Sequence, residues 1–183
     1  MKTQLITARI KNSVTLDDVK NHLRITATDE DDYLSALMDA AQEFCEDYTN
    51  RKYEAETWKL LLDEFPKVIE LPFSPVSSVT HVKYYDTDEN QQTLSTDDYE
   101  TSLNAEPVTI KPVTDSSFPS TYDMYEAVEV QFVCGASAPA ICPMTFRQAI
   151  LILIADMYQK RESTVHRYPD TVDMLLQPLK VHY

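Results

Sequence analysis

The spacing of apolar positions changes twice along the chain. Thr15 can cap a short helix, Asp17 and Asp18 suit its electropositive first turn, and Leu16, Val19 and Leu23 recur at helical spacing. After a polar break at 26–28, a longer helix starts at Thr28 with acids at 29–32 in its first turn. Its stripe is Leu34, Leu37, Met38, Ala41, Cys45 and Tyr48, widened by Phe44. Asn50 tolerates the left-handed conformation that ends helices. From Tyr53 to Cys142 helical spacing vanishes. Short β-favouring runs lie between turn residues, at 57–62, 68–71, 79–85, 99–102, 108–110 and 128–133, and 86–90 reads as a hairpin turn before 91–94. Pro143 suits the first turn of a third helix over 144–161, whose 149–155 run is apolar on every face. Such a helix needs cover on all sides, some of it from a neighbouring subunit. A last short helix begins at Asp170, with Val172, Leu175, Leu176 and Leu179 as its apolar set. The expected fold class is α+β in a single domain, 1–183. A helical bundle frame (14–54 and 143–183) carries an antiparallel β-rich insertion (55–142) between the second and third helices.

Composition narrows the function. The chain has 183 residues and one glycine, Gly135, where average usage would give about 13. Dinucleotide fingerprints, Walker loops and kinase-type phosphate loops need clustered glycines, so none can be built. The net charge is −14, the wrong sign for gripping DNA by counterion release. The hydrophobic fraction of 43% is that of a chain with a core. Cys45, Cys134 and Cys142 have no metal or disulfide spacing and read as small apolar residues in a reducing compartment. The N-terminus lacks the apolar stretch of a signal peptide, and the 149–155 run is far short of the roughly 20 residues that span a bilayer. The expectation is a soluble protein made in a cytoplasm, with no membrane contact.

Local chemistry is sparse. His22, His81, His166 and His182 stand alone, and no nucleophile–base motif is present, so no catalytic residue, cofactor or metal ligand is assigned. Asp86, Asp88, Asn90 and Asp97 mimic the ligand spacing of a calcium loop. The sixth position, which needs Gly, is Gln91, and the flanks look like strands, so a hairpin turn is preferred. The acids at 29–32 and the basic residues Lys160, Arg161, His166 and Arg167 suit helix termini. Eleven tyrosines could serve interfaces or the β core equally. Reading the two N-terminal helices as a DNA-binding helix-turn-helix fails on charge, because the second helix would offer four acids to phosphate.

The order of segments resembles tailed-phage head–tail connector (adaptor) proteins over about residues 14–183. The opening 15–24, Thr-Leu-Asp-Asp-Val-Lys-Asn-His-Leu-Arg, is similar to the family's T-L-x-x-x-K-x-H-L-R. The acidic start at 29–34, the 40–51 segment, Thr57-Trp58, Ile69-Glu70-Leu71-Pro72, the 75–79 and 82–86 runs, 128–135, the Arg147–Glu162 helix and the 172–179 tail follow in family order. Asn50, Glu89 and Ala136 stand where the family often has Gly. The resemblance implies no catalysis. It implies a homo-oligomeric ring, twelvefold to match a portal, that docks on the portal protein and offers a surface to a stopper or tail-completion protein. DNA would pass through its lumen without specific binding, and an acidic lumen would repel it. The setting implied is the virion neck; another virion component, such as a stopper, is the alternative.

For the ring contacts the sequence nominates Leu151 and Ile152, which point away from the face formed by Ile150, Leu153, Ile154 and Met157. It also nominates Leu175, Leu176 and Leu179, which have little core of their own in a terminal segment that orders on its partner. For the Asp86 turn, calorimetric titration with calcium should show no binding tighter than about 10⁻³ M; tighter binding would overturn the hairpin reading.

Overall fold

The computed structural model describes residues 1–135, 142–161 and 168–182. Four helices and two antiparallel sheets make the fold α+β. The chain opens with β1 (Lys2–Thr7), a strand that the apolar pattern did not announce. Helix α1 (Leu16–Leu23) starts on a capping box: the Thr15 side chain accepts from the Asp18 N–H and Asp18 returns to Thr15. Helix α2 (Asp31–Thr49) begins three residues later than expected and ends at Asn50, in the left-handed region. Strands β2 (Glu56–Leu62), β3 (Ile69–Glu70), β4 (Val76–Tyr85), β5 (Gln91–Thr93), β6 (Tyr99–Ser102), β7 (Thr109–Pro112) and β8 (Val128–Cys134) follow. Helices α3 (Met144–Gln159) and α4 (Asp170–Leu176) follow, with a 3-10 turn over Gln177–Leu179 after them. Among the described residues no helix is long and apolar enough to cross a membrane.

The larger sheet has the order β1-β2-β8-β4-β5 and the smaller β3-β7-β6. Central strand β8 shows its place in its alternation: Val128, Val130, Phe132 and Cys134 are buried, while Glu129, Gln131 and Val133 between them face the other side. The smaller sheet supplies Ile69, Tyr99 and Ile110 to the cluster built on Leu60, Val82, Val130 and Phe132, so the two sheets share one apolar core. A second core joins the helices, with Val19 from α1, Leu34, Met38, Ala41 and Cys45 from α2, Phe146, Ile150, Leu153 and Ile154 from α3, and Val172 and Leu176 from α4. Arg147 of α3 pairs with Asp18 of the α1 cap at 3.0 Å, tying helices distant in sequence.

The two cores are separate apolar clusters, and a buried polar layer lies where the chain passes between them. Gln42 and Glu46 on α2 and Lys52, Glu54 and Glu56 after it are all nearly inaccessible. Glu46 accepts from Gln42 Nε2 at 2.7 Å and Lys52 Nζ at 3.0 Å, and Arg9 Nη1 lies 3.6 Å away. Arg9 also reaches Glu56 at 3.4 Å, and the other Glu56 oxygen accepts from Trp58 Nε1 at 2.8 Å. Burial pushes the Glu46 carboxyl up, opposed by Lys52, Gln42 and Arg9. Burial works to lower the Lys52 ammonium, but Glu46, Glu56 and Asp47 win and raise it. Its charge also sits over the Trp58 and Phe73 rings, at 5.6 and 5.5 Å.

Gly135 belongs to the same layer. Its φ is +76°, and an added Cβ would lie 2.0 Å from the Glu54 carbonyl oxygen. Elsewhere non-glycine residues take the left-handed turns: Arg24, Asn50, Glu89, Asp115 and Glu126. Two positions where the related family favours Gly, Asn50 and Glu89, are among them; Ala136 lies outside the described residues.

Gly135→Ala should lower the unfolding free energy by at least about 2 kcal/mol, the scale of a backbone clash added to left-handed strain. Glu46→Ala, which takes the closest anion from buried Lys52, should cost about 3–5 kcal/mol, and joint Glu46→Met with Lys52→Met much less. Urea denaturation checks all three; a near-neutral Glu46→Ala would show that the layer is not a closed network.

Candidate interaction surfaces

The residues nominated for assembly fall into two groups. Leu151 and Ile152 lie on the flank of α3, half-buried beside the helical core, while Phe146, Ala149, Ile150, Leu153 and Ile154 face inward. The helix is therefore covered on one side by its own chain and partly open on the other. Leu175 and Leu179 are also half-buried. Leu176 is different: it is fully buried with Val172 in the helical core. The expectation that this terminal segment lacks a core of its own is corrected on that point. One turn of α4 is enough to place Val172 and Leu176 on a single inward face.

Polar contacts seat the rest of the segment. The Val181 N–H donates to the Thr49 carbonyl at 2.9 Å, Asn50 Nδ2 donates to the Val181 carbonyl at 3.0 Å, and Arg51 Nε donates to the Leu179 carbonyl. Arg51 then reaches Glu106 with a two-pronged pair at 2.6 Å, and Glu106 is held below the usual carboxylate range by that contact. The left-handed end of α2 thus forms the seat of the C-terminal residues. Sequence reading marked Asn50 as a helix stop and missed this second task, for which no local pattern exists.

At the other end of α3, Arg161 lies between the Tyr33 and Tyr158 rings, at 5.0 and 4.9 Å, and pairs with Glu30. The Tyr158 hydroxyl donates to the same carboxylate, and these two contacts hold Glu30 below its ordinary range. Lys160 pairs with Asp156 and Lys20 with Asp31. Lys160 and Arg161 of the basic cluster and Glu30 and Asp31 of the acidic run are therefore spent within the chain; His166 and Arg167 lie outside the described residues.

The Asp86 segment is a turn between β4 and β5. One Asp86 oxygen accepts from the N–H groups of Asp88 and Asn90 at 3.0 Å, and the other accepts from Gln92 Nε2 at 2.7 Å. Gln92 first, then the turn amides, lower the Asp86 carboxyl. Among the described residues no three His, Cys, Asp or Glu side chains cluster as a metal site would need. His81 lies 3.0 Å from Glu129, which also takes Lys59, a pairing on the polar face of the sheet. Burial raises the thiols of Cys45, to about 12, and of Cys134 and Cys142, as for inert small apolar residues. What this surface offers is shape, apolar flanks and negative charge.

No curated protein matches the chain in sequence. In fold it is similar to a chain of the "Virion of native gene transfer agent (GTA) particle", at 19% identity and a TM-score of 0.83. Chains of the "Neck of empty GTA particle computed with C6 symmetry" (19%, TM-score 0.80) and the "Neck of native GTA particle computed with C12 symmetry" (18%, TM-score 0.77) are similar too. Each likeness covers 100% of this chain and 97% of the other. The model of the family described as "Phage gp6-like head-tail connector protein" matches residues 13–116. That stretch runs from the α1 cap through the polar layer to the smaller sheet, more than half of the chain, which therefore belongs to the phage gp6-like head-tail connector proteins.

Proposed function

We propose that this protein is the adaptor of a virion neck, acting as one head–tail connector domain built of frame 14–54 and 143–183 with insertion 55–142. Twelve copies form a closed ring beneath the portal protein, DNA passes through the lumen, and a stopper or tail-completion protein docks on the far side. The family match over residues 13–116 carries this reading. The fold shared with chains of neck structures computed with C6 and C12 symmetry supports the ring, since a twelvefold ring satisfies both symmetries. The role is structural and needs no catalytic residue or cofactor.

The surface suits that role. The open flank of α3, with Leu151 and Ile152, and the half-buried Leu175 and Leu179 offer apolar area to a neighbouring copy or to the portal. A net charge of −14 per copy repels DNA, so the duplex slides rather than binds.

Electron cryomicroscopy of the assembled head is the test. The expected outcome is a ring of this chain in the layer beneath the portal. A layer without the chain, or a single axial copy there, overturns the reading; a ring one layer further from the head makes it a stopper instead.

A further inference from the structure

The five-stranded sheet ends at β1 and β5, and among the described residues no strand pairs with the outer side of either. Every step across the sheet is antiparallel, and four steps separate the two edges, so β1 and β5 run in the same direction. An open edge presents N–H and C=O groups that template another strand, and soluble proteins usually blunt it. The first half of β1 is not blunted: Lys2 to Leu5 pair regularly with Leu61 to Trp58 before a bulge between Leu5 and Thr7. Its side chains are mostly exposed, and Leu5, Ile6 and the fully exposed Ile10 lie on or just after it. Apolar groups gathered in this way mark a contact surface.

The two edges carry opposite charge. Residues 1–16 hold Lys2, Arg9 and Lys11 and no acid, in a chain of net charge −14. Arg9 is committed to the buried layer; Lys2 and Lys11 are exposed and touch Glu126 at 3.0 Å and Glu54 at 3.7 Å, the Lys2 pair being open to water on both sides and so weak enough to exchange for another acid. Residues 86–100, which contain β5, hold Asp86, Asp88, Glu89, Asp97, Asp98 and Glu100 and no base. Among the described residues none of these six acids has an ion-pair partner. The register aligns the two ends. Lys2, Leu61, Glu129, Lys83 and Thr93 form one row across the sheet, and the turn at 86–90 lies just past that row.

Resting on the ring reading above, we propose that neighbouring copies join sheet edge to sheet edge, β1 of one lying parallel to β5 of the next, with Lys2 facing the acidic turn at 86–89. This contact pairs two different surfaces, the head-to-tail kind that closes into a ring when the rotation per copy allows. It also answers a problem of charge. Copies this acidic repel one another over most of their surface, and the β1 edge is the basic surface that a second copy can meet with its acidic one. At about 4.8 Å per strand a five-stranded sheet is about 24 Å wide, so twelve laid edge to edge would trace a circle about 90 Å across.

The test is site-directed cross-linking in assembled heads. Gln4→Cys combined with Thr93→Cys leaves Lys2 in place and puts thiols at two exposed positions on one face of the continued sheet, two residues apart along the strand, and a short bismaleimide bridges them. Native Cys45 and Cys134 are buried, and the wild-type chain reports the background from half-buried Cys142. The expected result on a denaturing gel is a ladder of covalent oligomers for the double variant, absent from wild type and from each single variant. If microscopy shows the ring beneath the portal and the double variant still runs as monomer, edge pairing is wrong while the ring reading stands. If no ring of this chain is present, both fail.

Discussion

Glu46 occupies the position on which the architecture turns. It sits on the inward side of α2, where an apolar residue would continue the stripe, and it has no access to water. A buried carboxylate is tolerated only with its partners in place. Those partners come from three parts of the chain: Arg9 after β1, Gln42 one turn earlier on α2, and Lys52 on the link to β2. The Ser13 N–H donating to Gln42 adds a further strand of the network. The helical and β cores are each self-contained, so apolar packing alone would let one slide on the other. Directional, desolvated contacts remove that freedom, because a shifted arrangement leaves a charge unpaired.

This constraint bears on assembly. A protomer that builds part of a closed ring has to present its contact surfaces at a fixed relative angle, since small errors per copy accumulate around the circle. Here the half-buried flank of α3 belongs to the helical core and the open sheet edges belong to the β core. The polar layer between them holds the two sets of surfaces at one angle. Gly135 lets the backbone of β8 come against Glu54 at the same junction, which explains why a chain that otherwise avoids glycine keeps one there.

The scarcity of glycine has a second consequence. Left-handed turns fall to Arg24, Asn50, Glu89, Asp115 and Glu126, each of which carries a Cβ penalty; hydrogen bonds are in place at Arg24, Asn50, Glu89 and Glu126. At the hairpin the Asp86 side chain supplies them, by accepting from two amides of the turn. A spacing that looks like a calcium loop is thus the spacing of a side chain that caps its own turn.

Sequence alone determined the local elements. The cap at Thr15, the stripe of α2, the stop at Asn50, the β runs between 57 and 133 and the start of α3 follow from period, caps and turn residues, which are contained in short windows. Strand β1 escaped because an edge strand exposed on both faces leaves no alternation to read. The single glycine excluded glycine-rich phosphate loops, and the net charge of −14 argued against gripping DNA by counterion release. Tertiary structure decided the rest: that the apolar residues divide into two cores, that Gln42, Glu46 and Lys52 are buried rather than solvated, and that Leu176 is used within its own chain while Leu151 and Ile152 stay half open. The physical reason is range. Period and capping act over a few residues, whereas burial of a charge or a leucine depends on segments distant in sequence, as Val14 and Leu176 are, that meet only in the folded chain.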